Sequence, residues 1–272
     1  EFGGVDFELF FATEFLGLSS LHYGYWDGEE LTVENLKIAQ KRYTETLLSL
    51  MPSDVGSVLD VGAGIGDNAK ALLEKGYLVT AITPDQNHIK YFEKISSPNL
   101  KFISTKLEDL HIQDSFDLIL MSESQNYFDM REGFKQCVRH LESGGYLYVS
   151  GIFLRDTDNL GDSFFGLKRA CDYITAAAEY GFTLIQQRDI TAETLPTIAF
   201  ADKNAKKYID PTLEALTMYA QSSLGWKLKF LKVLFWKQFQ ELAKIQSLYK
   251  QRLNPELFRL RTRYLRLIFQ LT

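Results

Sequence analysis

Short apolar runs alternate with longer amphipathic segments through the middle of the chain. Continuous apolar runs of about four to eight residues are typical of buried strands, whereas apolar residues three and four positions apart are typical of helices. The pattern predicts strands at Val58–Val61, Leu78–Ile82, Lys101–Ser104, Phe116–Met121, Tyr146–Ser150 and Phe182–Gln187. It predicts intervening helices at Asn68–Lys75, Pro84–Lys94, Met130–Leu141 and Asp172–Tyr180. This alternation favours an α/β fold with a mostly parallel sheet.

Helical patterns also precede the first predicted strand. Val5–Leu18 and Thr32–Leu50 have amphipathic spacing on either side of an aromatic loop, Leu21–Asp27, with the sequence LHYGYWD. The second of these helices is expected to end before Pro52. We predict that the whole segment forms a helical lid.

A long segment separates the sixth strand from a last, antiparallel strand predicted at Tyr264–Leu271. At about 75 residues, it is far longer than a turn needs. Apolar stripes at Thr212–Gln221 and Trp226–Tyr249 predict helices within it, and this helical insertion is expected to roof a substrate pocket. We therefore predict an N-terminal lid at 1–52, a core at 53–190, a substrate cap at 191–260 and a return to the core at 261–272.

A glycine-rich turn follows the first predicted strand, in the stretch Ser57–Leu73. Asp60 ends the apolar run, and Gly62, Gly64 and Gly66 follow at alternate positions. Glycines allow close approach of a ligand to the backbone and tolerate positive φ. Strand, glycine turn and helix, with Asp67 or Asn68 as the predicted N-cap, is the arrangement by which an open α/β sheet holds nucleotide-like ligands.

The D-x-G-x-G-x-G spacing resembles the cofactor loop of the class I S-adenosylmethionine (SAM) methyltransferases. The resemblance implies a Rossmann-like sheet of seven strands with helices on both faces, SAM as cofactor and S-adenosylhomocysteine (SAH) as product. It implies that Asp60 faces the methionine amino group and that the glycines pass under the ribose and methionine. The Leu141–Gly145 stretch resembles the L-x-x-G-G turn of the same family.

Further cofactor contacts follow from this resemblance. The second strand ends Ile82-Thr83-Pro84, as in the subgroup that includes the cyclopropane synthases, in which Thr and Gln hold the ribose. His88 takes the place of that Gln here, with Asp85 and Gln86 nearby. The remaining predicted contacts are an adenine site at Leu107 and Glu108, with Asp109 as the alternative acid, and a methionine site at Ser122.

Three residues are candidates for catalysis. The resemblance places His22 and Tyr23 of the aromatic loop over the ligands, Tyr23 also touching the cofactor, and places Glu123 beside the acceptor. A buried carboxylate or histidine could orient the acceptor or take its proton. The alternative is structural, with His22 and Tyr23 fixing the lid to the sheet and Glu123 bonding nearby backbone.

Several reactions remain open at this point. We favour methyl transfer to an O, N or C atom of a small-molecule or lipid-like acceptor, as in natural-product metabolism. The alternatives are cyclopropanation of an acyl chain and a SAM-binding module without catalysis. Cyclopropane synthases carry an F-E-H signature whose Glu helps bind bicarbonate, and the matching positions here are Gln125-Asn126-Tyr127. An acidic chain without an N-P-P-Y-type motif disfavours nucleic acid as the acceptor.

Charge and cysteine usage say little about the candidate site, but the uneven charge indicates a candidate interaction surface in the C-terminal part of the chain. Residues 225–272 hold 11 Lys and Arg against two acids, while the chain as a whole carries a net charge of −5. The stretch Trp226–Lys237 is basic and amphipathic, so membrane or acyl-carrier contact is one interpretation. We favour instead packing of its tryptophans on the sheet domain. Cys137 and Cys171 are expected to be reduced core thiols, no metal site is predicted, and the cytoplasm is the expected location.

Overall fold

The computed structural model describes residues 7–156, 166–227 and 233–272. Its strands are β1 Ser57–Val61, β2 Leu78–Ile82, β3 Leu100–Ile103, β4 Phe116–Ser122, β5 Leu141–Leu154, β6 Phe182–Asp189 and β7 Thr262–Leu271. They form one seven-stranded sheet in the order β3-β2-β1-β4-β5-β7-β6. Only β7 runs antiparallel, between β5 and β6. The predicted Rossmann-like sheet and its antiparallel last strand are confirmed.

Helices cover both faces of this sheet. Their bounds are α1 Phe7–Phe10, α2 Val33–Leu48, α3 Asp67–Glu74, α4 Ile89–Phe92, α5 Met130–His140, α6 Ala170–Glu179, α7 Thr191–Asn204, α8 Asp210–Leu224, α9 Trp236–Arg252 and α10 Pro255–Arg261. Alternate strand residues point to opposite faces. Leu59 and Ile119 therefore pack in the core under α5 and α6, while Val58 and Leu118 pack in the core under α2 and α3.

Two of the predicted helices differ from those in the structure. The predicted helix Pro84–Lys94 is only a 3₁₀ turn, Gln86–His88, followed by the four residues of α4, because the Asp85 carboxylate accepts from the Asn87 N–H and forms a local turn. Within the described residues from Phe7 onward, the helix predicted at Val5–Leu18 is α1 followed by a π-helical turn at Phe11–Phe15.

The predicted turn Leu141–Gly145 lies at the start of β5, as an irregularity of that strand. Phe116 pairs with Leu141 and Leu118 pairs with Tyr146, so the residues in between bulge from the sheet. Gly144 lies there with φ of 78°, the conformation for which a glycine is needed. The turn chemistry was correctly predicted, but the strand begins earlier than expected.

Burial contradicts two predictions made from apolar character. Cys137 is buried, but Cys171 is exposed at the start of α6 and is not a core thiol. Trp226 and Trp236 are 73% and 52% exposed, so their predicted packing on the sheet domain is wrong. Residues 228–232 of the same basic stretch lie outside the described residues.

Candidate active site

A cavity of about 660 Å³ lies at the carboxyl ends of β1, β2 and β4. The chain passes from β1 to β2 and β3 on one side and then to β4 and β5 on the other, so this is the switch point at which open α/β sheets bind ligands. Its lining comprises Leu9, Ala12, Leu21–Tyr23, Val61–Gly64, Asp67, Asn68, Ile82–Asp85, His88, Thr105–Glu108, Ser122–Ser124, Tyr127 and Phe128. Most of the predicted site residues therefore meet in one cavity.

The glycine loop has two glycines in the lining and one outside it. Gly62, Gly64 and Gly66 have φ of 73°, 54° and 85°. A Cβ on Gly64 would face the cavity, with its nearest neighbour, Leu21 Cδ1, 3.8 Å away. A Cβ on Gly66 would instead lie about 3 Å from Ile95 and Phe92. Gly66 thus makes room for side-chain packing and precedes α3 as its N-cap, a place that we had predicted for Asp67 or Asn68.

Asp60 also lies outside the lining, beneath the loop. Its side chain is almost fully buried, and within the described chain its Oδ2 atom has no hydrogen-bond partner. Burial, together with the nearby charge of Asp67, raises the pKa of Asp60 to about 8. An isolated buried carboxylate is costly unless a positive charge compensates it. Asp60 is therefore a neutral acid near pH 7 in this structure.

The ends of β2 and β3 place the predicted ribose and adenine residues in the lining. Thr83 is buried, and its hydroxyl lies 3.1 Å from His88 Nδ1. His88 Nε2 lies 3.7 Å from Asp85 Oδ2. Pro84, Leu107 and Glu108 also line the cavity, together with Lys106, which the sequence interpretation did not select. Asp109, the alternative acid for the adenine site, does not line the cavity.

Glu123 has the most unusual backbone of the site. It follows Ser122 at the end of β4 with φ of 63°, the only positive φ of a non-glycine residue in the described chain. Strained conformations of this kind concentrate at functional sites. Its N–H donates to Ser150 O at 2.7 Å, and its Oε1 accepts from the backbone N–H of Tyr23 at 2.9 Å. Burial raises the pKa of Glu123, against the lowering effects of His22 and of its hydrogen-bond donors.

Two buried tyrosines extend this network behind Glu123. The Tyr264 hydroxyl donates to Glu123 Oε1 at 2.5 Å and lies 2.9 Å from the hydroxyl of Tyr43. The Tyr43 hydroxyl in turn lies 2.7 Å from Ser150 Oγ and 3.2 Å from Ser122 Oγ. If each hydroxyl donates toward Glu123, the chain of hydrogen bonds stabilises the ionised carboxylate. The sequence interpretation missed both tyrosines, because neither belongs to a local motif.

His22 forms a buried ion pair with Asp67. His22 Nδ1 lies 2.7 Å from the Tyr23 carbonyl oxygen, which only accepts, and Nε2 lies 2.7 Å from Asp67 Oδ2. Nε2 also lies 3.0 Å from the Thr44 hydroxyl oxygen, and the charge of the neighbouring Asp67 carboxylate favours the form of the ring with a proton on both nitrogens, the imidazolium. Burial lowers the pKa of His22, but the charge and hydrogen bond of Asp67 outweigh it and the net pKa is raised. Neither nitrogen is available to take a proton from an acceptor.

We expect the stability lost in the Asp67→Asn variant to depend on pH. A raised histidine pKa stabilises the fold below about pH 6.5, and the contribution disappears as the pH rises through the folded pKa. The lowered pKa of Asp67 preserves its charge down to acidic pH. Near pH 6 the variant should therefore lose about 3 kcal/mol of unfolding free energy, and the loss should shrink toward about pH 9.

Urea denaturation over this pH range measures the effect. Asp114→Asn is the matched control, because it removes an exposed ion pair with Lys101 and should show no such trend. A destabilisation by Asp67→Asn that stays constant or grows with pH would contradict a charged His22.

The aromatic loop is held from behind by the insertion. Trp26 is buried, its N–H donates to Glu193 O at 2.9 Å, and its Nε1 donates to Thr197 Oγ1 at 2.9 Å. The Tyr23 ring stacks on Phe258 of α10, with centroids 6.1 Å apart. No described residue of 191–260 lines the cavity, so the predicted roof by the insertion is wrong for the described chain. The N-terminal residues cover the cavity, and the insertion supports them.

Comparison with known proteins identifies the core of the chain. Residues 59–149 match the methyltransferase domain family. An O-methyltransferase of Pyrenophora dematioidea is 29% identical over 145 residues, 50% of this chain and 54% of that protein. The 27-O-demethylrifamycin SV methyltransferase of Amycolatopsis mediterranei (strain S699) is 27% identical over 144 residues, 50% of this chain and 52% of that protein.

A solved structure extends the fold similarity to nearly the whole chain. The geranyl diphosphate C-methyltransferase of Streptomyces coelicolor A3(2), in complex with SAH, superimposes with a TM-score of 0.68. The two sequences are 14% identical, and the superposition covers 96% of this chain and 91% of the Streptomyces coelicolor chain. The matched region spans about half the length of the two sequence relatives. Because the domain match, the sheet order and the glycine cradle agree, the chain contains a methyltransferase domain of the class I, SAM-dependent family.

Proposed function

We propose that this protein binds SAM in the cavity and transfers its methyl group to a small-molecule acceptor. The observation that carries the proposal is the glycine loop, where Gly62 and Gly64 line the cavity at the sheet switch point and Gly64 leaves open a space that a side chain would fill. The domain match over residues 59–149 supports the same cofactor. Calorimetric titration with SAH tests the binding directly, and the absence of binding would contradict the proposal.

The lining offers a suitable group for each part of the cofactor. Thr83 and His88 would hold the ribose, Leu107 and Glu108 the adenine, and Ser122 the methionine end. SAM would supply a methyl group on a positively charged sulfur. The side chains of this chain bind and orient the two reactants and keep water away from them, which accounts for much of the catalysis of a bimolecular displacement.

Asp60→Asn is expected to weaken SAM binding and to change its pH dependence. The Asp60 carboxyl has a pKa of about 8, so a cofactor that needs its carboxylate must compete with a proton. SAM affinity should therefore rise by about tenfold or more between about pH 6 and 7.5, a range in which an α-amino group remains mostly charged. The variant should bind about tenfold more weakly at the upper end, with a flat profile.

Calorimetry across that pH range separates this role from a purely structural one. Wild-type and variant proteins with equal affinity and equal pH dependence would show that Asp60 is a buried neutral acid that does not act on the cofactor. Asn is similar in size and neutral, so the variant should keep the fold.

Glu123 is the group that we propose to act on the acceptor. Its carboxylate is buried in the lining, and apolar side chains, including Leu9, Ala12 and Phe128, form another part of the cavity. This combination fits an apolar molecule with one hydroxyl group, whose proton Glu123 accepts. Two relatives are named as O-methyltransferases or act at a 27-O position, which supports an oxygen as the attacking atom.

The residues after Glu123 argue against cyclopropanation. Gln125 is fully buried, and its side-chain amide donates to Ile152 O at 3.1 Å. The Asn126 amide donates to the same carbonyl at 3.0 Å. Neither residue lines the cavity, so the first two positions of the bicarbonate signature, including that of its Glu, anchor the loop to β5. Assays with labelled SAM should therefore find label on apolar acceptors that carry a hydroxyl group and not in an unsaturated acyl chain.

A further inference from the structure

The insertion carries an exposed apolar surface that the proposed function does not use. We call residues 210–227 and 233–252 the insertion surface; it includes α8, α9 and the described residues between them. α8 buries none of its residues, although it carries several large apolar side chains. Leu216, Met218, Tyr219, Trp226, Val233 and Trp236 are all more than half exposed. Large apolar side chains exposed in such number on two neighbouring helices are typical of an interaction site.

The same surface is basic in a chain that is acidic overall. Lys227 and Lys237 are exposed beside the two tryptophans, and Lys244 and Lys250 are exposed on α9. The acids of the surface are fewer, at Asp210, Glu214 and Glu241, and Asp210 already pairs with Lys250 at 3.6 Å. The partner of this surface must therefore offer both apolar contacts and negative charge.

We infer that the insertion surface binds the headgroup region of an anionic membrane. Tryptophan and tyrosine favour the membrane interface because their rings are apolar while one atom stays hydrogen-bonded to water. Lysines beside them attract anionic lipid headgroups. Helices that combine basic and large apolar side chains bind in the plane of the membrane interface. No helix in the described ranges is long and apolar enough to span a bilayer. A second copy of the chain is a poorer partner, because a contact between two copies of this surface would bring two regions of net positive charge together.

Tryptophan fluorescence of the full chain tests the inference without an acceptor. Trp26 is buried and should report a constant signal, whereas Trp226 and Trp236 are exposed and should shift to shorter wavelength when they enter a membrane interface. Vesicles of equimolar phosphatidylcholine and phosphatidylglycerol should cause the shift and sediment with the protein at low salt. High salt, or vesicles of phosphatidylcholine alone, should largely abolish both signals.

Surface variants identify the residues responsible. Lys227→Glu with Lys237→Glu should weaken partitioning to the anionic vesicles by at least roughly 30-fold, since each lysine near such a surface is worth about fivefold. Lys75→Glu reverses the charge of an exposed residue on the core domain and should weaken this partitioning much less. Trp226→Ser with Trp236→Ser should abolish vesicle binding, and Ile185→Ser, an exposed apolar change on β6, should leave it intact.

Other outcomes would overturn the inference. Equal binding to neutral and anionic vesicles would remove the role of the lysines. Failure to bind either vesicle, with a self-association in analytical ultracentrifugation that the tryptophan variants lose, would assign the surface to a second copy. A monomer that binds neither vesicle would show that lipid is not the partner. SAH titration of the same variants keeps this test separate from the cofactor proposal.

Discussion

The Gly64→Val variant should lose SAM and SAH binding by at least about 100-fold while it keeps its fold. The Cβ of residue 64 faces the cavity, with only Leu21 Cδ1 at 3.8 Å, so the valine methyls would occupy space that the cofactor needs. The positive φ of 54° adds backbone strain of about 1–3 kcal/mol to a β-branched residue. Calorimetry measures the loss of affinity, and thermal unfolding with circular dichroism checks the fold.

Gly28→Val is the matched control for the backbone strain. Gly28 has φ of 83°, and a Cβ there meets nothing within 4 Å. The Gly28→Val variant should have a similar backbone strain and bind SAH with the wild-type affinity. Gly62→Ala is unsuitable, because its Cβ would lie 2.5 Å from Ser124 Cβ and destabilise the loop itself. If Gly64→Val bound SAH within about threefold of the wild-type affinity, the glycine loop would not be part of the cofactor site.

The strands and the glycine loop were predictable from the sequence because their signals are local. β1 and β2 are parallel strands that are buried except at their first residues, and such strands read as short continuous apolar runs. The turn after β1 needs residues that adopt positive φ, which the alternate glycines of the loop supply. The spacing could not show that Gly66 serves packing while Gly64 serves the cavity. That difference depends on Phe92 and Ile95, which come from another part of the chain.

The hydrogen-bond network around Glu123 could not be predicted in the same way. Tyr43 and Tyr264 are 221 positions apart and meet only because α2 packs over the sheet beside β7. Each reads in the sequence as an ordinary apolar-face residue. The exposure of Trp226 and Trp236 was also missed, since aromatic residues in an amphipathic pattern usually indicate burial. The contact between the two tyrosines and the exposure of the two tryptophans both depend on packing between residues that are far apart in the sequence.

Glu123→Gln is expected to lower kcat by about 100-fold or more while SAM affinity stays nearly unchanged. Positioned general bases typically contribute that much, and Gln keeps the size but cannot accept the proton. Glu123 is also the only described non-glycine residue with a positive φ, and a Gln side chain, unlike Ala, can still accept the hydrogen bonds from Tyr23 and Tyr264. Steady-state kinetics with a hydroxylated acceptor measures kcat, and calorimetry with SAH measures the retained affinity.

Tyr264→Phe should shift the acid limb of the kcat/KM profile to higher pH. The Tyr264 hydroxyl donates to Glu123 Oε1 and lowers the pKa of that carboxyl, so its removal raises a pKa that burial already holds above the usual value. The active form is the carboxylate, which exists above this pKa. The variant should therefore lose about tenfold in activity on the acid side and recover as the pH rises.

Tyr148→Phe is the control that separates this electrostatic role from a loss of packing. Tyr148 is also a fully buried tyrosine on the sheet, but its hydroxyl has no hydrogen-bond partner in the described chain. Its variant should keep the wild-type pH profile. An equal shift in both variants, or a shift of Tyr264→Phe toward lower pH, would show that the hydroxyl of Tyr264 does not stabilise the ionised Glu123. A wild-type kcat in Glu123→Gln would leave catalysis to the positioning of the two reactants alone.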